Sequence, residues 1–284
     1  MLVFKSVNEL KQFLFQNKHK TIGFVPTMGA LHQGHLSLIN QSKNKAELTI
    51  CSIFVNPIQF NKPEDLENYP RTIERDIQLL EDVACDVLFL PSVNEMYPTK
   101  QYKNYDFGTL ATVMEGEHRP GHFNGVANVI ERFFDIIQPT YAFFGEKDFQ
   151  QLAIVKDLTK QLGLSTEIIG CPILRENNGL AMSSRNERLT AEERNRAAII
   201  YRSLIQIKNN QKTSTIEQAK KMFKTAVEQE KMNLEYIEFA DGTTLQPIKE
   251  WNETNYCVAF VTVIIGKVRL IDNLTIYSNV TSTP

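Results

Sequence analysis

The stretch Val25-Pro26-Thr27-Met28-Gly29-Ala30-Leu31-His32-Gln33-Gly34-His35 constrains this chain more than any other part of it. The apolar run 21–25 ahead of it reads as a buried strand, and the pattern over 36–43 behind it suits a helix. A strand that ends in a Gly-containing turn and feeds a helix is where α/β proteins hold nucleotides, because unpaired N–H groups and the positive end of the helix dipole face the phosphate. Gly29 and Gly34 let backbone approach a ligand closely. His32 and His35 are three residues apart, so one helical turn projects both rings from one face, two donors toward one triphosphate. The other reading makes them core histidines continuing the stripe of Leu36 and Ile39. A zinc helix fits less well, since the segment holds neither Cys nor an acidic residue.

With 284 residues the chain can bury a sizeable core, as one large domain or a medium one plus a small one. A net charge of -2 supplies no basic excess for coating nucleic acid. Cys51, Cys85, Cys171 and Cys257 are widely spaced and form no C-x-x-C unit, which suits reduced, buried thiols in a cytoplasmic protein. The start, Met1-Leu2-Val3-Phe4-Lys5, lacks the apolar core of a signal peptide, and no run is long enough to span a bilayer.

Helices and strands alternate along the chain. Val7, Leu10, Phe13 and Leu14 predict a first helix, with Ser6 and Glu9 in the form of a capping box. The run 48–55 has no polar face, as expected of a parallel strand covered on both sides, and it stops at Asn56-Pro57-Ile58-Gln59-Phe60. Open parallel sheets bind ligands beyond the carboxyl ends of their strands, and the amides of Asn56 and Gln59 suit a substrate bearing hydroxyls; a plain polar turn is the alternative. Helices over 62–66 and 72–83 precede a third strand over 86–90 and a loop over 91–105. Glu115-Gly116-Glu117-His118-Arg119-Pro120-Gly121-His122 leads into an apolar helix over 126–137, where Arg119 and His122 either contact an anion or fix the loop.

A strand over 141–144 runs straight into Gly145-Glu146-Lys147-Asp148-Phe149-Gln150-Gln151 and a helix to 162. Asp148 as an N-cap would explain itself but leaves the two glutamines unexplained. After a strand over 167–169, the turn Glu176-Asn177-Asn178-Gly179 is followed by Met182-Ser183-Ser184-Arg185-Asn186, hydroxyls and a guanidinium suited either to phosphate oxygens or to capping the helix over 191–207. A helix over 214–230 and strands over 235–240, 256–265 and 268–271, the last two joined at Gly266-Lys267, complete a small α+β unit.

In their order along the chain, the segments 26–35, 52–60, 69–72, 114–125, 144–151 and 179–186 resemble the motifs of the pantothenate synthetase family. Each is weak alone; their order makes the likeness specific. Beyond about residue 189 the resemblance is looser, apart from Arg269-Leu270-Ile271-Asp272-Asn273, and Glu131-Arg132 stands where the family more often has a lone Lys. The first motif and 182–185 are also similar to the H-x-G-H and Ser/Lys loops of nucleotidyl-transfer folds such as class I aminoacyl-tRNA synthetases.

The resemblance implies an α/β fold: a Rossmann-like doubly wound parallel sheet over 1–172 that binds nucleotide and pantoate, and a smaller α+β domain over 173–284 that closes over the ATP site. It implies a cytoplasmic, homodimeric ligase that uses ATP and Mg2+ to join pantoate to β-alanine through a pantoyl-adenylate. Residue by residue it casts His35 as proton donor, with His32, Lys147, Ser183, Ser184 and Arg185 on the phosphates. The ATP site would take in Met28, Gly29, Ala30, Leu31, His32, Gln33, Gly34, His35, Gly145, Glu146, Lys147, Asp148, Leu174, Met182, Ser183, Ser184 and Arg185. Gln59 and Gln151 would bind pantoate, and Asp76 would serve Mg2+ through water. A nucleotidyltransferase acting on a phosphate ester and a non-catalytic nucleotide-binding module are the competing readings. The first would not need paired amides for a hydroxy acid, and the second would not need the full His, Lys, Ser and Arg set.

Overall fold

A computed structural model describes residues 1–61 and 63–279, and within them the chain adopts the expected α/β architecture with a smaller α+β C-terminal domain. Six parallel strands, β1 (Leu2–Phe4), β2 (Ile22–Thr27), β3 (Leu48–Ile53), β4 (Val87–Phe89), β5 (Tyr141–Gly145) and β6 (Glu167–Cys171), pair in the order β1-β4-β3-β2-β5-β6. From β2 the chain winds outward through β3 and β4, then returns to lay β5 and β6 on the other side. The order reverses between β2 and β5, which is where such sheets open a ligand crevice. β5 pairs with β2 only over Gly23 and Phe24, and Pro26, which has no N–H to give, lies beyond that pairing.

Successive residues of each strand point to opposite faces, and each face is covered by its own helices. Phe24, Ile50 and Phe89 face Val7–Gln16 and His122–Ile137, where the Phe133 ring meets Phe24 at 5.2 Å and Phe89 at 6.2 Å. Val25, Cys51 and Leu88 face the other way, onto Leu38, Ile39 and Leu80 of the helices Gln33–Lys45 and Ile73–Asp82. This two-sided cover explains why the strands carry no polar face. All four cysteines are free and buried.

Several local expectations need correction. Residues 2–4, too short to show a period, form the edge strand β1 by pairing with β4. Ser6 stands at the N-cap of its helix without a side-chain cap bond; the Glu95 carboxylate accepts the Val7 N–H instead, at 2.8 Å. The loop over 91–105 contains a helical turn, Val93–Met96, and the helix over 191–207 is divided at Ala198 into Ala191–Ala197 and Ile199–Asn210. The helix expected over 62–66 runs Pro63–Glu67, with residue 62 outside the described residues.

The C-terminal sheet is antiparallel, β7 (Asn233–Asp241), β8 (Tyr256–Ile265) and β9 (Val268–Ser278), with Gly266 at positive φ (56°) in the β8–β9 turn. One face packs Phe239, Ala259 and Val261 onto the helices Ile199–Asn210 and Ile216–Gln229. The other carries Val258 and Phe260 against Met114 and Phe149 of the parallel-sheet half, the Phe149 and Phe260 rings 5.4 Å apart. The second sheet thereby roofs the crevice at the carboxyl edge of the first. Among the described residues no helix is long and apolar enough to cross a membrane.

Candidate active site

The turn after β2 is built on a buried carboxylate. Gly29 and Ala30 take positive φ, 80° and 49°, which swings the Ala30 and Leu31 N–H groups onto the two oxygens of Asp76 at 2.9 and 2.8 Å. Thr72 Oγ1 donates to the same carboxylate at 3.1 Å, and Asp76 is 1% exposed. Asp76 therefore clamps the turn, its two oxygens taking three protein donors. Among the described residues no group of three His, Cys, Asp or Glu side chains is placed to hold a metal.

The helix Gln33–Lys45 then starts on its own imidazoles, where its sequence predicts open N–H donors. His32 is its N-cap, and the His32 Nδ1 accepts the Gly34 N–H at 3.1 Å. His35 Nδ1 accepts the His32 N–H in turn, at 3.3 Å. The imidazoles thus occupy the helix-terminal donors expected to face phosphate. They replace them with their own: a neutral ring whose Nδ1 accepts must carry its proton on Nε2. The two rings lie 4.0 Å apart, and a side chain at Gly34 would put its Cβ 2.8 Å from the His32 ring. Burial, then the neighbouring His35 and Lys147, pushes His32 down to about 3; burial, then Lys147, pushes His35 down to about 4. Both are neutral donors at physiological pH.

The two candidate substrate amides come from different elements. Gln59 is buried on the short turn Pro57–Gln59; its Oε1 accepts from Asn56 Nδ2 at 3.0 Å and its Nε2 reaches Met28 Sδ at 3.2 Å. Asn56 is itself held by Tyr97 Oη at 2.9 Å and by the Gly125 carbonyl at 3.1 Å, so it orients Gln59 and is not free for substrate. His122 lines the cavity, and its Nδ1 donates to the Gln59 carbonyl at 2.8 Å, which ties the loop down. Gly125 packs against the same turn so closely that a Cβ would lie 2.5 Å from the Ile58 carbonyl oxygen and 2.6 Å from Gln59 Cα. Both glutamines line the cavity, but Gln150 is committed to the Glu115 N–H and to the Leu110 and Val113 carbonyls.

Asp148 stands at the N-cap of Phe149–Gln161 without capping it. Ser183 Oγ accepts the Arg185 N–H at 3.2 Å, and the buried Asn186 ties this loop to Glu176 at 2.8 Å and to the Ala181 carbonyl at 3.0 Å. One cavity collects Met28, His32, Gly34, His35, Gln59, Gly145, Lys147, Asp148, Gln151, Leu174, Met182, Ser183, Ser184 and Arg185. Gly29, Ala30, Leu31, Gln33 and Glu146 are not among the residues that line it.

Glu115, Tyr236, Arg269, Asp272 and Asn273 also belong to this region, although the sequence assigns them no role. Glu115 accepts two bonds from Arg269 (2.8 and 2.6 Å) and one from Tyr236 Oη (2.9 Å), a knot between the two halves of the molecule. Burial works to raise the Glu115 carboxyl, but Arg269 and Arg119 hold it at about 2. Arg119 lines the cavity 3.8 Å from that carboxylate. Asp272 and Asn273 lie on β9, and period-two alternation sets Arg269, Ile271 and Asn273 on the face of Phe260, toward the cavity. The sequence places only 268–271 in this strand, which runs on to Ser278 by pairing with β8, so neither the position of Asn273 nor the partner face is legible in it.

A family model described as pantoate–β-alanine ligase matches residues 2–275. The chain belongs to that ligase family. It is 46% identical over 277 residues to a pantothenate synthetase of Bacteroides thetaiotaomicron, covering 96% of this chain and 98% of the relative. With that of Flavobacterium psychrophilum it shares 47% over 281 residues, 97% of this chain and 100% of the relative. Its fold is similar to the crystal structure of pantothenate synthetase from Thermus thermophilus, with a TM-score of 0.91, 38% identity, and 98% of this chain and 100% of that one covered. It is also similar to a pantoate–β-alanine ligase from Francisella tularensis complexed with β-γ ATP and β-alanine, with a TM-score of 0.83, 37% identity, and 97% and 98% coverage.

Two outcomes follow for this ligase. His32, His35 and His122, the last pushed by burial to about 4, stay neutral in the fold while unfolded imidazoles take a proton near 6.5. The unfolded chain therefore binds more protons just below that pH, so stability is full above it and declines as the pH falls, by at most about 1.4 kcal/mol per unit per group. Urea unfolding at pH 7.5 and 5.0 measures this; equal stability at both would contradict neutral burial. Gly125→Ala drives a Cβ into immobile backbone and is expected to cost about 1–3 kcal/mol in the same assay. Wild-type stability would mean the Gln59 turn yields freely.

Proposed function

We propose that this ligase joins pantoate to β-alanine in two half-reactions at the one cavity. A pantoate carboxylate oxygen attacks the α-phosphorus of ATP, the bond to the bridging oxygen breaks, and pyrophosphate leaves with the electron pair. The β-alanine amine then attacks the acyl carbon of the pantoyl-adenylate, AMP departs, and the amine proton is lost. A carboxylate does not condense with an amine unaided in water, and the mixed anhydride supplies the leaving group. The observation that carries the reading is the convergence, around one cavity, of two Nε2–H imidazoles, a lysine, a Ser-Ser-Arg loop and two carboxamides from distant parts of the chain.

Charge grows on the α-phosphate and on departing pyrophosphate, so rate comes from donors aimed at those oxygens before the reaction begins. We assign His35 as the donor to that charge, with His32 beside it, and Lys147, Ser183, Ser184 and Arg185 as the grip on the other side. Met28, Leu174, Gly145 and Asp148 are assigned to the nucleotide, and Gln59 and Gln151 to pantoate. Neutral amides suit the acid because a cation against its carboxylate would weaken the nucleophile. Mg2+ is read as part of the nucleotide substrate, held by phosphate oxygens in its usual manner.

The same reading divides the chain at 172/173, makes the working form a cytoplasmic homodimer, and has the C-terminal part close over ATP with the 182–185 loop as its contact, because an acyl-adenylate must be kept from water. Small-angle scattering with and without ATP and pantoate tests closure; superimposable profiles would count against it. The reaction is tested by incorporation of labelled pyrophosphate into ATP, expected only with pantoate present. In His35→Ala the exchange rate is expected to fall by a factor on the order of 10². Exchange that needs a phosphate ester would favour a nucleotidyltransferase, and ATP binding with no exchange a non-catalytic module.

A further inference from the structure

The segment Arg269-Leu270-Ile271-Asp272-Asn273 has no part in the half-reactions described above, yet its last residue reaches across the cavity roof. Asn273 is 5% exposed, and its Nδ2 donates both hydrogens to successive main-chain carbonyls, those of Glu146 and Lys147, each at 2.9 Å. The turn that receives them, Glu146–Asp148, has no side-chain cap at its start, and Asp148 caps nothing after it. Its conformation is therefore held from β9 across the two sheets.

Asn273 is itself fixed on both sides. Its N–H donates to Asp272 Oδ1 at 2.8 Å, and its carbonyl accepts from Arg175 Nη2 at 3.2 Å. Arg175 binds both Asp272 oxygens, at 2.6 and 3.0 Å, and its guanidinium lies 3.8 Å from the centre of the Tyr201 ring. Pairing of Asn273 with Phe260 in the β8–β9 ladder stiffens the base of the whole arrangement.

We propose that Asn273 is the positioning residue for Lys147: it sets the backbone from which the lysine enters the cavity, and so makes that cation's placement depend on the docked C-terminal sheet. The role rests on the phosphate-gripping role given to Lys147 above. An amide suits the geometry, because its NH2 group offers two donors from one atom to two adjacent carbonyls without adding a charge beside the lysine. An aspartate there would set acceptors against acceptors and a negative charge beside the lysine.

The test is a double-mutant cycle with pantoate-dependent ATP–pyrophosphate exchange as readout, on wild type, Asn273→Ala, Lys147→Ala and the double variant, with thermal unfolding as a check on folding. Asn273→Ala is expected to lower the maximal exchange rate by a factor on the order of 10 to 10², since misplacing a group by about 1 Å costs that much. In the Lys147→Ala background the same change is expected to alter the rate less than about twofold, because contacting residues that act through one another do not add. Asn273→Asp is expected to be slower than Asn273→Ala. Should the alanine variant not fold, Asn273→Ser, which keeps one donor, replaces it in the cycle. Equal factors in both backgrounds, or an unchanged rate in the folded single variant, would overturn the role. Absence of exchange in wild type would remove the reaction itself, a failure distinguished from the others by the wild-type control.

Discussion

Parallel pairing sends the carboxyl end of every strand to one edge, and the reversal of strand order between β2 and β5 leaves a gap at that edge. Everything chemical in this molecule depends on that gap. The turn after β2 brings His32 and His35 to one wall, and the turn after β5 brings Lys147 to the other. β3, next to β2, delivers Gln59 through a turn that begins where the strand ends. Three segments far apart in sequence thus meet because hydrophobic strands beneath them share one register.

The gap alone would leave loose loops, and buried polar groups make them rigid. Asp76 turns two N–H groups away from solvent, Asn56 and His122 hold Gln59 by side chain and by backbone, and Gln150 ties down the loop ahead of Glu115. Each is a buried polar atom with its partner in place, and losing either partner would strand the other at a cost of about 1–3 kcal/mol. The imidazoles follow the same logic. By accepting N–H groups at the helix start they become a pair of fixed donors, which a flexible or charged histidine would not be.

The antiparallel sheet completes the cavity from above. Its apolar contact through Phe260 is supported by the Glu115–Arg269 knot and by the bonds from Asn273. Glu115 and Arg269 have other partners as well, Tyr236, Thr262 and Glu235, so each buried charge is hydrogen-bonded several times over. Two independently patterned halves are thereby held in one alignment.

The amino-acid sequence by itself determined the strand-turn-helix at 22–45, the alternation of strands and helices, the composition of the motifs and the family they resemble, because hydrophobic period and turn chemistry are local properties. It left the ends of elements, the edge strand over 2–4 and the division at Ala198 open, since pairing with a distant strand and packing against neighbours settle those. Above all it left the status of each polar residue undecided. His122, Asn56, Gln150 and Asp76 were as eligible for a ligand as Gln59, Gln151 and Lys147, and nothing in spacing separates them. Only the tertiary structure shows which protein partners each of them takes, because that depends on groups far away along the chain that folding brings within hydrogen-bonding reach.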